Sequence, residues 1–353
     1  MASTKRKPKS KRPSAGSGRS QRWKSSESDP TNRFWFDSSR RVRIALSVGL
    51  AILLLLLFVA IDFFQIYSGI SRLNLTATNR DRQSTNYLFV GSDSRGAVRT
   101  ITELEQFGST ETQGGTRSDI LLLLHVPQDG PPTLLSIPRD LLVTIPGEGE
   151  VRLTLLYDES PQKLVDGICD SLGIGIDHLV AIDFKGLQRL VDSVGGITVD
   201  IDAATRSTAT GLDLAAGSQK IDGATALQLV RTRTGEKIFF GGWVSIFNGA
   251  ELRMRNSEIV LQALGQAMRA NSTPWGLHSM ARSAIGHISV SAELGIGDLL
   301  RLKQLVGELP FDQVTQLPSR HVDGETPIAL LTPDSERVLQ QVGVGAGQAC
   351  ATK

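Results

Sequence analysis

The sequence predicts an α/β domain whose sheet is covered on both faces, preceded by one membrane-spanning helix. Three observations carry this. NYLFVG (86–91), DILLLLHV (119–126) and TLLSI (133–137) are near-continuous apolar runs, the pattern of strands buried on both sides. Residues 178–201 follow a strand pattern with a helical one and then another strand, as layered α/β domains do. Residues 44–61 read IALSVGLAILLLLLFVAI without a charge, and about 20 apolar residues cross a bilayer core.

Each element follows from its residues. Of the 38 Lys and Arg, 13 fall in residues 1–43 with only 3 of the 36 Asp and Glu. That basic, Ser- and Pro-rich segment is expected to be disordered and cytoplasmic. The membrane helix is expected over 44–67, with Arg40, Arg41 and Arg43 on its inner flank and Phe63, Phe64 and Tyr67 at the outer interface. The basic flank places the rest of the chain outside the cytoplasm, in the extracytoplasmic or periplasmic space. A cleaved signal peptide is the alternative; the long basic segment and the absence of a small-residue cleavage site oppose it.

A connector is expected over 68–83, then the first buried strand. Residues 96–116, with Gly108, Gly114 and Gly115, read as a long surface loop, with a lid as one role for it. The second and third strands follow. HLVAID (178–183) is a strand, FKGLQRLVDSV (184–194) a helix stopped at Gly195-Gly196, and ITVDI (197–201) a strand. Asp222 is placed to cap the helix ATALQLV. SEIVLQALGQAM (257–268) is an amphipathic helix. A helix around 297–307 and a strand over 313–317 complete a domain set at 84–320, with a Gly-rich tail over 321–353.

Beyond residue 43 the chain holds 25 basic against 33 acidic residues. This excludes a general basic face, and with it a nucleic-acid partner. An anion site must therefore be a local arginine cluster. Cys169 and Cys350 are the two cysteines. No zinc spacing exists. Two unpaired thiols is the plain reading, and a long-range disulfide in an oxidising compartment the alternative.

Three stretches put arginine beside aspartate at the edges of apolar runs, GSDSR (91–95), TRSD (116–119) and SIPRD (136–140), and a fourth, VRTR (230–233), carries arginine alone. Strand ends are where open α/β sheets bind ligands. If the first two strands are adjacent and antiparallel, Asp93 and Asp119 fall at one sheet end. Two carboxylates, waters and phosphate oxygens make a normal magnesium shell. Arg95, Arg117, Arg139, Arg231 and Arg233 offer guanidinium forks suited to phosphate. Each piece also has a plain reading: a surface ion pair for Arg139-Asp140, a helix C-terminus for Arg231 and Arg233, a turn for Asp93.

In this order, NYLFVGSDSR, TRSDILLLLHV, LLSIPRDLLVTIPG, DHLVAIDFKGLQRLVDSVGGITVDI and LDLAAGSQKIDGATALQLVRTR resemble the LytR-CpsA-Psr family, well over 84–270 and loosely to 320. The resemblance implies a three-layer α/β/α fold with a mixed central sheet. It implies a magnesium-assisted phosphotransferase that moves a glycopolymer from a polyprenyl diphosphate carrier to peptidoglycan. Asp93 and Asp119 match the family's metal-associated aspartates, with Arg117 counted beside them as catalytic. Arg117, Arg139, Arg231 and Arg233 match its diphosphate-binding arginines, and Arg95 is grouped with them. In ELRMRNSEIV, Arg255 fits a further arginine of that set, Arg253 sits beside the position held by Leu252, and Asn256 stands where glutamine is usual. Arg152-Leu153-Thr154 replaces the usual Lys-Ile-Asn. GGWVSIFNG (241–249) makes this region longer than the pattern. Asp93 is the candidate base for the acceptor hydroxyl. The same residues would serve a pyrophosphatase acting on the lipid carrier, or a non-catalytic module binding a lipid-linked polymer. A serine hydrolase built on Ser94 lacks both the first glycine of a nucleophile elbow and a histidine in triad context.

Overall fold

The computed structural model describes residues 30–350 apart from 82, 93–117, 240, 247–248, 307–308, 310, 312, 323–327 and 346–349. Asp93, Ser94, Arg95, Arg117 and the expected loop at 96–116 lie outside the described residues, as do residues 1–29. The chain divides into two units, Met1–Ile61 and Asp62–Lys353.

Helix α1 (Pro30–Ser68) contains the uncharged run. From Val42 to Ser68 it is long and apolar enough to cross a membrane, and its most apolar window has no buried residue. It starts well before the expected boundary, so residues 30–43 are helical rather than disordered. No Gly or Pro interrupts residues 31–48, and Pro30 opens the helix where no N–H is needed.

The second unit continues with β1 (Ser71–Leu73), β2 (Ser84–Ser92), β3 (Ser118–Pro127), β4 (Thr133–Ile137), the hairpin β5–β6 (Leu142–Ile145, Gly149–Arg152), α2 (Leu153–Glu159), α3 (Pro161–Leu172), β7 (His178–Asp183) and α4 (Phe184–Ser193). Then come β8 (Ile197–Ile201), β9 (Thr205–Ser207), β10 (Leu212–Leu214), β11 (Gly217–Ile221), α5 (Gly223–Arg231), the hairpin β12–β13 (Gly235–Phe239, Gly242–Ile246) and α6 (Gly249–Ala270). Last are α7 (Pro274–Ala284), β14 (Ile288–Ser291), α8 (Ile296–Val306), β15 (Thr315–Gln316), β16–β17 (Ser319–Val322, Ile328–Leu331) and α9 (Pro333–Val342).

The central sheet has seven strands in the order β1-β14-β7-β2-β3-β4-β15. It is mixed: β2 runs parallel to β7 and antiparallel to β3. Alternation along β3 explains why its apolar run has no polar face. Leu121 and Leu123 pack with Leu164, Val165 and Ile168 of α3 on one side. Leu122, Leu124 and Val126 pack with Leu305 and Leu309 on the other. Both faces are thus covered, giving the α/β layering the sequence predicts. A third cluster joins α4, α5 and α6 to β8 and β11.

Four regions differ from expectation. ITVDI is a strand, but β8 leaves the central sheet and pairs with β11; Asp200 and Thr198 alternate with buried Ile197, Val199 and Ile201, so only one of its faces is apolar. The connector over 68–83 holds edge strand β1, and Thr78 is buried with its N–H on Ile176 O at 2.9 Å. The stretch after 320 is no loose tail: Ala329, Leu339 and Val344 are buried in the main core. Cys169 and Cys350 are joined as a disulfide with Cα atoms 5.8 Å apart, where unpaired thiols were the plain reading. Cys350 lies on a bridge with Asn79, a placement that spacing alone could not reveal.

Candidate functional site

Four strand ends meet at one edge of the central sheet. Ser92, the last residue of β2, pairs with Asp183 at the end of β7 and with Ser118 at the start of β3. β4 ends at Ile137, which pairs with Leu121, and Pro138 follows it. The β2–β3 register changes between Gly91 and Ser92: Gly91 pairs with Ile120 and Ser92 with Ser118. Asp119 is therefore the extra residue of a bulge, a device that recurs next to active sites. Arg139 follows β4 by two residues at this same sheet end. The expectation that the first two strands are adjacent and antiparallel holds.

One cavity opens at this edge, lined by Ile120, Pro138, Arg139 and Asp140 from the sheet side and by Arg253, Ser257 and Glu258 of α6. Pro138 fixes the chain as it leaves β4. Leu141 N–H bonds to Pro138 O (3.1 Å) and Thr154 N–H to Arg139 O (2.8 Å), so the SIPRD turn is held on both sides. Arg139 Nε donates to Asp140 Oδ2 at 3.2 Å, and Arg152 approaches the other Asp140 oxygen at 3.9 Å. Arg152 thus faces Asp140, a partner its placement in the sequence did not suggest. Arg253 is buried, and Ser257 Oγ donates to its carbonyl. The cavity therefore joins two arginines more than a hundred residues apart in sequence.

Arg231 comes to the same edge by a different route. Asp222 caps α5 by accepting from Thr225 N–H at 2.8 Å. The Thr225 amide and hydroxyl hold its carboxyl below the ordinary value of 3.8. Gly223 N–H donates to Asp192 Oδ1 at 2.8 Å, so the VDSVGG and DGATAL segments touch. A Cβ on Gly223 would stand 2.1 Å from Gln188 O, so only glycine lets α5 lie this close to α4. Arg231 in the last turn of α5 then sits over the Phe184 ring, 5.5 Å from its centre, where α4 leaves β7. Arg233 lies two residues further and is exposed. Between them Thr232 is buried, donating to Gln228 O at 2.8 Å.

The remaining expected residues fall elsewhere. Arg255 is exposed and does not line the cavity. Asn256 is buried and donates to Leu229 O at 3.0 Å, tying α6 to α5. Sequence reasoning missed Asp140, Glu258, Gln316 and His321, all in the cavity lining. Glu258 was legible as a signal: Met254, Glu258 and Leu261 recur at helical spacing and all face the cavity. His321 was not, because it lies in the region read as tail. At the neighbouring strand end Asp183 is committed to structure, accepting from Gly186 N–H at 2.7 Å and bonding His287 Nδ1 at 2.9 Å. Among the described residues no group of three or more His, Cys, Asp and Glu is placed to hold a metal.

Comparison with known proteins adds to this geometry. The model of the LytR_cpsA_psr family matches residues 65–338. A Corynebacterium glutamicum protein named probable cell wall biosynthesis protein LcpB is 37% identical over 169 residues, 47% of this chain and 41% of the relative. The Oceanobacillus iheyensis polyisoprenyl-teichoic acid–peptidoglycan teichoic acid transferase TagU is 30% identical over 206 residues, 53% of this chain and 61% of the relative. The chain thus spans less than two thirds of either. A solved LytR-Csp2A-Psr enzyme from Actinomyces oris superposes with a TM-score of 0.65 at 28% identity, covering 80% of this chain and 98% of that one.

Proposed function

Because the chain belongs to the LytR-CpsA-Psr family, as the match over residues 65–338 shows, we propose that it is a membrane-anchored phosphotransferase that moves a glycopolymer from a polyprenyl diphosphate carrier to peptidoglycan. The meeting of Arg139 and Arg253 in one cavity at the sheet end where Asp119 lies carries this reading. The TagU relative, whose name gives a polyisoprenyl-linked donor and a peptidoglycan acceptor, supports the substrate classes. The Cys169–Cys350 disulfide supports a domain in an oxidising compartment, outside the cytoplasm.

In this reading Arg139 and Arg253 grip the diphosphate, with Arg231 at the same edge; Arg233, Arg95 and Arg117 are the further arginines expected to join them. Guanidinium forks match phosphate oxygens and favour the charge that gathers as prenyl phosphate departs. The acceptor hydroxyl oxygen bonds to the glycan-side phosphorus, and the anhydride bond to prenyl phosphate breaks. The hydroxyl proton passes to a carboxylate, for which Asp93 is the candidate. Asp93 and Asp119 are the donors suited to magnesium, which when bound supplies further neutralisation of phosphate charge. Both are hard oxygen ligands, and the bulge at Asp119 fits a position that must leave the ladder.

Mass spectrometry of the protein purified from cells tests the binding half of the proposal. A co-purified polyprenyl phosphate or diphosphate, lost in Arg139→Ala and Arg253→Ala, is expected. A lipid-free native protein whose variants behave alike would contradict it.

A further inference from the structure

Asp62 is an acidic residue inside the apolar stretch that ends at Ser68. It stands six residues before that end, about 9 Å along the helix. A carboxylate at that depth is unfavourable without partners. Both of its oxygens have them, and both partners come from α7. His278 Nε2 meets Asp62 Oδ2 at 2.5 Å, and Arg282 donates to Asp62 Oδ1. A second contact fixes the same pairing of segments: a Cβ on Gly69 would stand 2.6 Å from Ile285 Cγ2, just past the end of α7. Helix α7 therefore lies beside the last two turns of α1, where Phe63 and Phe64 are exposed.

Trp275, His278 and Arg282 follow one another at spacings of three and four, so they form one stripe of α7. The two C-terminal members hold Asp62. Trp275 extends the stripe by a turn and is 83% exposed, the most exposed large apolar side chain among the described residues. Tryptophan beside basic residues is the composition that settles at headgroup level.

We propose that α7 is an interfacial helix that binds the lipid headgroup layer at the C-terminal end of α1, with Trp275 inserted and the Asp62–His278–Arg282 cluster setting its depth. The inference rests on α1 being a membrane span. It adds a second lipid contact, which would fix the direction in which the catalytic edge faces the membrane.

The test uses the full chain with Trp23, Trp35 and Trp243 replaced by Phe, leaving Trp275. It is reconstituted into vesicles of phosphatidylcholine and phosphatidylglycerol, with or without bromine on the acyl chains near the headgroup. Flotation reads the anchor and fluorescence reads α7. Loss of Trp275 emission in brominated vesicles is expected, with emission recovered in Asp62→Leu. The pair His278→Ala and Arg282→Ala, which leaves α1 untouched, should recover it too. Protein that floats with the same Trp275 emission in both lipids would overturn the proposal, including the case in which a protein partner covers Trp275. Unchanged quenching in both variants would overturn the role of the Asp62 cluster. Protein that fails to float would overturn the span itself.

Discussion

At the scale of single residues, the buried polar groups divide into those that build the site and those that hold the sheet. His125 belongs to the second kind. Its Nδ1 meets Asn86 Oδ1 at 2.7 Å while Asn86 Nδ2 donates to Gly175 O at 2.6 Å, which assigns the proton to His125 Nδ1. Burial holds its pKa below the ordinary 6.5. The unfolded chain therefore binds more protons than the folded one below about 6.5, so stability rises with pH up to that value. Thermal unfolding should show a midpoint that drops as pH falls below about 6.5, and His125→Gln should flatten that slope. An unchanged slope in the variant would contradict the assignment. Asp177, whose pKa burial raises above 3.8, acts with the opposite sign, its contribution being lost as pH rises from 3.8. Residue identity was legible for part of the site: Arg139 was visible from SIPRD, and Arg253 only through the family pattern in ELRMRNSEIV. That Asn256 ties α6 to α5 was not, since a buried amide and an open ligand look the same in sequence.

At the scale of elements, apolar runs located the strands well. TLLSI, HLVAID and ITVDI match β4, β7 and β8. Pairing was harder, because an alternating strand such as β8 shows that one face is buried but not against which sheet. The motif DGATAL takes on a meaning the residues alone did not give. Its Asp caps α5, and its Gly permits the contact with α4 that delivers Arg231 to the strand ends. Gly223→Ala should therefore push α5 away from Gln188, at a cost of about 1–3 kcal/mol in denaturant unfolding, and lower lipid retention with it. Wild-type stability in Gly223→Ala would show that the α4–α5 contact has room to spare. Gly91 meets the same kind of constraint at the bulge, where an added Cβ would stand 3.1 Å from Ile120 Cβ.

At the scale of the whole molecule, the uncharged run foresaw one apolar helix. Closure of the fold was less legible. The C-terminal 30 residues are Gly-rich, yet α9 seats Leu339 in the core and the last cysteine reaches back to Cys169. A disulfide spanning 181 residues limits the unfolded chain, so Cys350→Ser should lower stability by roughly 2–4 kcal/mol. Reductant should do the same to the native protein and nothing to the variant; equal stability of the two without reductant would contradict a structural role. The central claim is that one arginine-lined cavity at the sheet edge performs phosphotransfer. It is tested most directly by following transfer of glycan from a polyprenyl diphosphate carrier to a peptidoglycan oligomer, with and without magnesium. The account predicts magnesium-dependent product that falls about a hundredfold or more in Arg139→Ala and in Arg253→Ala. Free glycan phosphate without transferred product, or full transfer by both variants, would contradict it.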